Sequence, residues 1–190
     1  IPMAKITFVL GGARSGKSAF AEELAKKYND VVYIATAEAK DDEMRERVQI
    51  HRARRPFNWK TIESPYHVDR VVSDLNGKAG LLLIDCITLY ITNMLLSSEI
   101  TNSAGCSDMK TVDLNQRQNH IMAEINKLSQ VCRESSSDVI VISNEVGLGI
   151  VPDNALSREF RDIAGCANQN LAGEADEVYF VVARIAQRIK

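Results

Sequence analysis

The sequence predicts an α/β fold in which a mostly parallel sheet carries helices on both faces. Short apolar segments alternate along the chain with longer segments of helical spacing, as they do in proteins built from strand–helix–strand units. Leu81–Asp85 is a continuous apolar run that ends in a carboxylate, which is typical of a strand buried on both faces. A glycine-rich turn follows the first apolar run and precedes a helical pattern, and this order also favours a parallel sheet.

The strands are predicted where short apolar runs occur between turns or helical segments. These strands are Lys5–Leu10, Val31–Ala35, Trp59–Glu63, Leu81–Asp85, Val139–Ser143 and Glu177–Val182. The helices are predicted from helical spacing or from charged, helix-favouring composition. These helices are Lys17–Tyr28, Asp41–Arg54, Tyr66–Leu75, Leu114–Cys132 and Ala155–Leu171. Segments 97–107 and 147–152 are predicted loops, and we expect residues 3–190 to form a single domain.

The composition is that of an ordinary globular protein. Hydrophobic residues make up 45% of the chain and charged residues 25%, and the formal net charge is -2. This charge argues against a protein whose surface as a whole binds nucleic acid or an anionic membrane. No apolar run is long enough to span a bilayer. We expect no secretory signal and a cytoplasmic location. The cysteines form no CxxC pair, so we expect free thiols and no structural metal; they are Cys86, Cys106, Cys132 and Cys166.

A phosphate-binding motif occupies the turn after the first strand. Gly11–Ser18 reads GGARSGKS and matches GxxxxGK[ST] at every fixed position. Gly11 and Gly16 let the backbone curl so that its N–H groups point at phosphate oxygens, and the following helix adds its positive N-terminus. Lys17 can then reach the terminal phosphates, while the Ser18 hydroxyl is a candidate Mg²⁺ ligand. The alternative is a chance match in a glycine-rich turn, which the flanking strand and helix make rarer.

A second candidate Mg²⁺ ligand is Asp85. It ends the buried strand Leu81–Asp85, and a carboxylate at the tip of such a strand holds Mg²⁺ in P-loop enzymes, directly or through water. The alternative is that Asp85 caps a helix that begins at Ile87. The phosphate-binding turn favours the metal role, because the two features support each other.

A histidine lies among arginines in the predicted helix Asp41–Arg54. Arg47 and His51 fall on one helical face, and Arg54 or Arg55 continues that face. Such a cluster of guanidinium groups needs an anion, which a triphosphate would supply. The same positive field would keep the imidazole neutral and therefore nucleophilic. Spacing alone leaves two interpretations open: a histidine that carries a nucleotide covalently, or a solvated charged helix.

Longer stretches of the chain resemble one family from Phe8 to Val182. The matching stretches are GGARSGKS at Gly11–Ser18, YIAT at Tyr33–Thr36, DDEMRERVQIHRARRP at Asp41–Pro56, WKTIE at Trp59–Glu63, DCITLYITNMLL at Asp85–Leu96, SNEVGLGIVPDN at Ser143–Asn154, REFRDIAG at Arg158–Gly165 and NQNLAGEADEV at Asn168–Val178. The chain thereby resembles the bifunctional adenosylcobinamide kinase / adenosylcobinamide-phosphate guanylyltransferase family. The NEVGxGIVP pattern within Ser143–Asn154 is specific to it, because generic P-loop kinases lack this pattern.

The resemblance implies two reactions on one substrate. Members phosphorylate the aminopropanol hydroxyl of adenosylcobinamide with ATP or GTP, and then transfer GMP from GTP to that phosphate through a guanylylated histidine, which corresponds to His51. The family also implies a RecA-like P-loop fold and a homotrimer in the bacterial cytoplasm, while the candidate ligands Ser18 and Asp85 make Mg²⁺ the expected cofactor. Its nucleotide contacts correspond to Gly11, Gly12, Ala13, Arg14, Ser15, Gly16, Lys17, Ser18, Ala35, Thr36, Ala37, Arg52, Ala53, Arg54, Arg55, Glu63 and Asp85.

Two other functions fit part of the pattern. A plain P-loop kinase would use Lys17, Ser18 and Asp85 but leave His51 without a role. A nucleotide-dependent switch would use loops such as 97–107 and 147–152 to sense the γ-phosphate, but it has no need of an arginine-ringed histidine. Binding of nucleic acid by the arginine-rich helix is disfavoured, because no aromatic residues are interleaved with the arginines.

Overall fold

The computed structural model describes residues 4–38, 46, 49, 53, 55–97 and 114–190. Its centre is a seven-stranded sheet with the strand order β3-β2-β4-β5-β1-β6-β7. The strands are β1 Ile6–Gly11, β2 Val31–Ala35, β3 Lys60–Glu63, β4 Leu81–Asp85, β5 Asp138–Asn144, β6 Glu177–Val182 and β7 Ile185–Arg188. Neighbouring strands are parallel from β3 to β6, and β7 pairs antiparallel with β6.

Helices pack on both faces of this sheet. They are α1 Lys17–Ala25, α2 Val68–Asp74, α3 Ile87–Leu95, α4 Leu114–Glu134 and α5 Ala155–Glu174. On one face, apolar side chains of α2 to α5 form the larger hydrophobic cluster with strand residues such as Phe8 and Ile84. On the other face, Ala21 and Ala25 of α1 pack against β-strand residues such as Ile142. The predicted α/β fold with a mostly parallel sheet and helices on both faces is therefore confirmed.

The central strands are buried because both of their faces are covered. All four apolar residues of Leu81–Ile84 have no exposed surface, and Val31–Ala35 is buried throughout. Strands that are buried on both faces appear in a sequence as continuous apolar runs rather than as alternating ones. For this reason the sequence places β2 and β4 to the residue. The partly buried β6 is also placed to the residue, and the other predicted strands lie within one residue at either end.

Most predicted helices are also present, with shifted ends. The first is predicted to Tyr28 but ends at Ala25, and the last two extend past their predicted ends to Glu134 and Glu174. Side-chain capping fixes one start, since Oδ1 of Asn154 accepts a hydrogen bond from the Ser157 N–H (2.7 Å). The predicted helix Asp41–Arg54 lies largely outside the described residues. Its described members are helical and exposed; they are Glu46, Gln49 and Ala53.

Two elements differ from the sequence-based expectation. Helix α3 begins at Ile87, as the capping alternative for Asp85 requires, but its N-cap residue is Cys86, so that alternative is wrong for Asp85. Strand β7 is not predicted at all. Of the predicted loops, 147–152 contains no helix or strand, and 97–107 lies outside the described residues except for Ser97. Within the described ranges, no helix is both long and apolar enough to cross a membrane.

Candidate nucleotide-binding site

The candidate site lies at the edge of the sheet where the parallel strands have their carboxyl ends. Gly11 ends β1, Asp85 ends β4 and Glu63 ends β3, and β5 lies between β1 and β4. Gly11 is in register with Asn144 of β5, and Asp85 is in register with Ile142 of the same strand. Ligands of open parallel sheets bind at this edge. The fold thus places the turn and the candidate metal ligand on the same side of the sheet, one strand apart.

The turn 12–16 has a compact backbone that needs its glycines. The Ser15 N–H donates to the Gly12 carbonyl (3.2 Å), and Gly16 has the left-handed φ of 96°. A Cβ on Gly11 would lie 2.4 Å from Oγ of Ser15 and 2.6 Å from the carbonyl oxygen of Val181. Because atoms cannot approach so closely, Gly11 allows the turn to fold back onto the sheet.

The hairpin between β6 and β7 supports this turn from the outside. The Arg184 N–H donates to the carbonyl of Ser15 (2.7 Å), and the Arg184 side chain lies against Gly16. Ala183 and Arg184 both have positive φ, 50° and 66°, and Val182 pairs with Ile185, so the hairpin has a two-residue turn of type I′ geometry. Such turns are usually signalled by Asn-Gly or Asp-Gly. Ala-Arg gives no such signal, and sequence reasoning therefore missed this support.

Lys17 begins α1 with its ammonium folded back onto the turn. Its Nζ donates to the Gly12 carbonyl (3.2 Å), and the residue is 9% exposed. Burial lowers the pKa of the Lys17 ammonium, against the opposing influence of the nearby Asp85 carboxylate. The charge of Lys17 is thus held where the turn converges, and a phosphate would replace the Gly12 carbonyl as its partner.

Asp85 is held by a tyrosine that the sequence analysis did not single out for a role. The Tyr33 hydroxyl donates to Oδ2 of Asp85 (2.5 Å), and within the described residues no other group bonds to Oδ1. The Arg55 guanidinium lies over the Tyr33 ring, 3.3 Å from its centroid, and donates to Oγ1 of Thr61 (3.3 Å). Tyr33 therefore joins two predicted nucleotide contacts, Asp85 and Arg55. Its sequence signals are its place in a buried strand and in the family-matching stretch Tyr33–Thr36, and neither indicates a contact with Asp85.

The predicted contact segment Ala35–Ala37 continues from β2 at the same edge. Thr36 is fully buried, and its hydroxyl both donates to the Cys86 carbonyl and accepts from the Cys86 N–H, at 2.7 Å each. Asn93 of α3 donates to the Thr36 carbonyl (2.8 Å). The Thr36 side chain thus fixes the ends of β2 and β4, while Ala37 is the partly exposed member of the segment.

The structure describes only some of the remaining predicted site residues. Glu63 is exposed at the end of β3, in register with Ala35. Ala53 is exposed in the arginine-rich segment. Three predicted residues lie outside the described residues: His51, Arg52 and Arg54. The described part of the site therefore contains the phosphate-binding turn, Lys17, Asp85 and Arg55.

A separate group of possible metal ligands joins α2 to α4. Ligand atoms of His67, Asp69 and Glu124 lie within 4.8 Å of one another. Oε1 of Glu124 already accepts a hydrogen bond from the Lys127 ammonium (2.6 Å), so this carboxylate is paired with a cationic side chain. This group shares no residue with the candidate nucleotide-binding site.

Comparison with known proteins gives one family over nearly the whole chain. Residues 7–189 match the family model described as cobinamide kinase / cobinamide phosphate guanyltransferase. The "Bifunctional adenosylcobalamin biosynthesis protein CobU" of Escherichia coli (strain K12) is 42% identical over 96% of this chain and 98% of its own length. The protein of the same name from Salmonella typhimurium is also 42% identical, with the same coverage. The "Bifunctional adenosylcobalamin biosynthesis protein CobP" of Pseudomonas aeruginosa is 39% identical over 96% of this chain and 95% of its own length.

A solved structure supports the fold independently. A prototypical ATPase from the type III secretion system of pathogenic bacteria superposes with a TM-score of 0.55 and 12% identity. The superposition covers 94% of this chain and 52% of the ATPase chain. At this identity the likeness concerns the fold alone, and it agrees with the predicted RecA-like P-loop fold.

Proposed function

Because the chain belongs to the cobinamide kinase / cobinamide phosphate guanyltransferase family, we propose that it phosphorylates the aminopropanol hydroxyl of adenosylcobinamide and then transfers GMP onto that phosphate. Membership makes the chain a bifunctional enzyme, a kinase and a guanyltransferase, of cobalamin biosynthesis. The single observation that carries the proposal for the site is the placement of Lys17 and Asp85 at one edge of the sheet, one strand apart, with the Lys17 ammonium folded onto the phosphate-binding turn.

The turn is suited to the triphosphate of ATP or GTP. Its backbone N–H groups and the N-terminus of α1 supply donors and a partial positive charge, and Lys17 adds a full one. The hydroxyl of Ser15 is buried and has no hydrogen-bond partner in the described part of the chain. A buried hydroxyl without a partner is costly, and a phosphate oxygen would supply the missing acceptor. We assign phosphate binding to residues 11–18 on this basis.

Ser18 and Asp85 are the proposed Mg²⁺ ligands. Mg²⁺ prefers hydroxyl and carboxylate oxygens together with phosphate oxygens and water. The residues fit this preference, because Ser18 lies in the first turn of α1 and Oδ1 of Asp85 is not engaged by the described residues. When bound, Mg²⁺ neutralises the charge of the phosphates. Tyr33 then keeps the carboxylate of Asp85 oriented.

In the kinase step, the oxygen of the aminopropanol hydroxyl attacks the γ-phosphorus of ATP or GTP. A P–O bond to the acceptor forms, the bond between the γ-phosphorus and the β–γ bridging oxygen breaks, and the proton of the hydroxyl passes to solvent. Lys17 stabilises the charge on the phosphoryl oxygens as the transfer proceeds. The products are adenosylcobinamide phosphate and the nucleoside diphosphate.

In the guanylyltransfer step, we assign the nucleophile to His51. The unprotonated nitrogen of its imidazole attacks the α-phosphorus of GTP, so that a P–N bond forms and pyrophosphate leaves. A phosphate oxygen of adenosylcobinamide phosphate then attacks the same phosphorus and breaks the P–N bond, which gives adenosylcobinamide-GDP and free His51. The surrounding Arg52, Arg54 and Arg55 would hold the anion, and Glu63 would contact the base or ribose.

Labelling with GTP that carries ³²P at the α-phosphate tests the covalent step. We expect one GMP per chain on the wild-type protein, stable to base and labile to acid, and none on His51→Asn. The chain has three histidines, and His120 lies on α4 far along the sequence from the arginine-rich segment, so His120→Asn is the matched control and should label normally. An unlabelled wild type would remove the covalent transferase step, and a labelled His51→Asn would place the nucleophile elsewhere.

The same variant separates this proposal from a plain kinase. His51→Asn should still phosphorylate adenosylcobinamide from ATP, whereas Lys17→Ala should lose both reactions because both use the same turn. If His51→Asn formed adenosylcobinamide-GDP at the wild-type rate, the histidine would have no covalent role. A nucleotide-dependent switch would form neither product.

We further propose a cytoplasmic homotrimer. The family resemblance supports the trimer, and the free thiols of Cys86, Cys132 and Cys166 fit a reducing compartment. Sedimentation equilibrium of the purified protein would give the mass of the assembly. A mass other than three chains would overturn the trimer.

A further inference from the structure

The loop 147–152 presents a group of apolar side chains to solvent beside the phosphate-binding turn. Leu148 is 81% exposed, Ile150 is 96% exposed and Val151 is 56% exposed. Single apolar residues are common on protein surfaces, but a contiguous exposed group more often marks a binding surface. We call these three side chains the apolar loop group.

Hydrogen bonds fix both ends of this loop. At its start, the Glu145 N–H donates to the Gly11 carbonyl (3.0 Å), and Oε1 of Glu145 accepts from the Gly147 N–H (2.6 Å). At its end, Arg158 of α5 donates to the carbonyls of Pro152 (2.9 Å) and Asp153 (2.7 Å). The loop that carries the apolar loop group is therefore anchored at its two ends, through Glu145 to the first glycine of the phosphate-binding turn and through Arg158 to α5.

The loop lies near the place where the reacting phosphate is proposed to bind, rather than near the rest of the nucleotide. The loop follows β5, and β5 lies between β1, which leads to Lys17, and β4, which ends at Asp85. A phosphoryl group held by both Lys17 and Asp85 lies above the end of β5. The other exposed apolar residues near the turn, Val182 and Ile185, are on the far side of β1 from Asp85.

We propose that the apolar loop group binds the corrin macrocycle of the cobinamide substrate. This inference rests on the proposed function, in which the acceptor hydroxyl sits on a short arm of a large ring. When the hydroxyl reaches the γ-phosphorus, the ring must lie within one arm's length of it, at the mouth of the site. The ring has apolar faces and methyl groups, and the apolar loop group supplies apolar surface there.

The test compares steady-state kinetics of Leu148→Ser/Ile150→Ser with those of the wild type. Loss of two apolar contacts should raise the KM for adenosylcobinamide in the ATP-dependent reaction by about tenfold or more. The KM for ATP should stay unchanged, as should the rate of covalent labelling by GTP, because neither involves the ring. The matched control is Ile189→Ser, which removes a side chain that is 58% exposed beside Val178, at the opposite edge of the sheet.

Each other result contradicts the inference in a distinct way. An unchanged KM for adenosylcobinamide in the double variant would overturn it. If that KM were unchanged but the sedimentation coefficient fell, the apolar loop group would be a contact between copies of this chain. Ile150→Ser alone, at a side chain that is 96% exposed, guards against misfolding of the double variant.

A binding measurement separates this inference from the proposed function. Equilibrium dialysis of adenosylcobinamide, followed by the visible absorbance of the corrin, needs no turnover. If the wild type binds the corrinoid and the double variant binds it about tenfold more weakly, the inference stands even where GTP labelling of His51 fails. Equal binding by both proteins would overturn it whatever the labelling shows.

Discussion

Tyr33 donates a 2.5 Å hydrogen bond to Oδ2 of Asp85 while its ring supports the guanidinium of Arg55. Burial, followed by the neighbouring Asp85 charge, raises the pKa of Tyr33 well above its ordinary value. The hydroxyl therefore remains a donor throughout the physiological range. One buried side chain thus orients the proposed metal ligand and positions one of the proposed nucleotide contacts.

Tyr33→Phe should weaken catalysis without unfolding the protein. A hydrogen bond to a charged group contributes about 1.5–3 kcal/mol, so we expect the kinase rate to fall about ten- to hundredfold. The Mg²⁺ concentration for half-maximal rate should rise, because Asp85 loses its orienting donor. Tyr28→Phe is the control, since Tyr28 bonds to Asp138 and not to the site. If Tyr33→Phe lowered the stability of the protein but left the Mg²⁺ dependence of the kinase rate unaltered, the Tyr33–Asp85 hydrogen bond would serve only to join β2 to β4.

Gly11→Ala should distort the phosphate-binding turn. The added Cβ would meet Oγ of Ser15 at 2.4 Å and the backbone oxygen of Val181 at 2.6 Å, and the backbone contact cannot be relieved by a rotamer change. We expect a loss of about 1–3 kcal/mol of unfolding free energy in urea, together with weaker GTP binding. A Cβ on Gly12 has nothing within 4 Å, so Gly12→Ala should unfold like the wild type. Equal unfolding of the two variants would contradict the steric argument.

The buried pair of Arg117 and Glu159 should fix α4 against α5. Its two hydrogen bonds measure 2.6 and 3.0 Å, and each side chain is 9% exposed. Arg117→Met should cost about 3–5 kcal/mol in urea unfolding, because it leaves a buried carboxylate without its partner. Adding Glu159→Leu should restore much of the stability. If Arg117→Met and the double variant had the same stability, the loss would come from altered packing and not from the unpaired charge of Glu159.

A surface ion pair provides the comparison for that experiment. Lys127 bonds to Glu124 at 2.6 Å, but its side chain is 60% exposed. Lys127→Met should therefore cost much less unfolding free energy than Arg117→Met.

Tyr28 should make the protein less stable at high pH. Burial first, and then its hydrogen bond to Asp138, raise the pKa of Tyr28 to about 12 from its ordinary 10.0. A pKa that is higher in the folded than in the unfolded state stabilises the folded protein. This contribution is fully present below pH 10 and is lost as the pH rises from 10 through about 12. Urea midpoints measured across this window should fall less steeply in Tyr28→Phe than in the wild type.

The Tyr28→Phe variant should still lose some stability at high pH. Burial also raises the pKa of Cys86 to about 11 and that of Cys132 to about 12, which acts in the same direction. An identical pH slope in Tyr28→Phe and the wild type would show that Tyr28 does not contribute.

Local patterns predicted much of the fold, and their failures have physical causes. Buried strands such as Leu81–Asp85 are visible as apolar runs because both faces are covered. Helix α3 is also almost wholly buried, and only Asp85 and Cys86 separate its apolar residues from those of β4, so the strand and the helix read as one mostly apolar stretch. Strand β7 is short and largely exposed, and its turn at Ala183–Arg184 lacks the usual glycine or asparagine.

The sequence by itself determined the phosphate-binding turn, the strand that ends in Asp85, and the family, because these depend on short-range spacing and on residue identity. Only the tertiary structure decided which residues support them. Tyr33, Arg184 and the apolar loop group reach the site from separate strands and loops, and the hydrogen bonds that place them join residues up to 169 positions apart, as Arg184 and Ser15 are. Such contacts arise when strands pair in an order that differs from chain order, and no local pattern records that order.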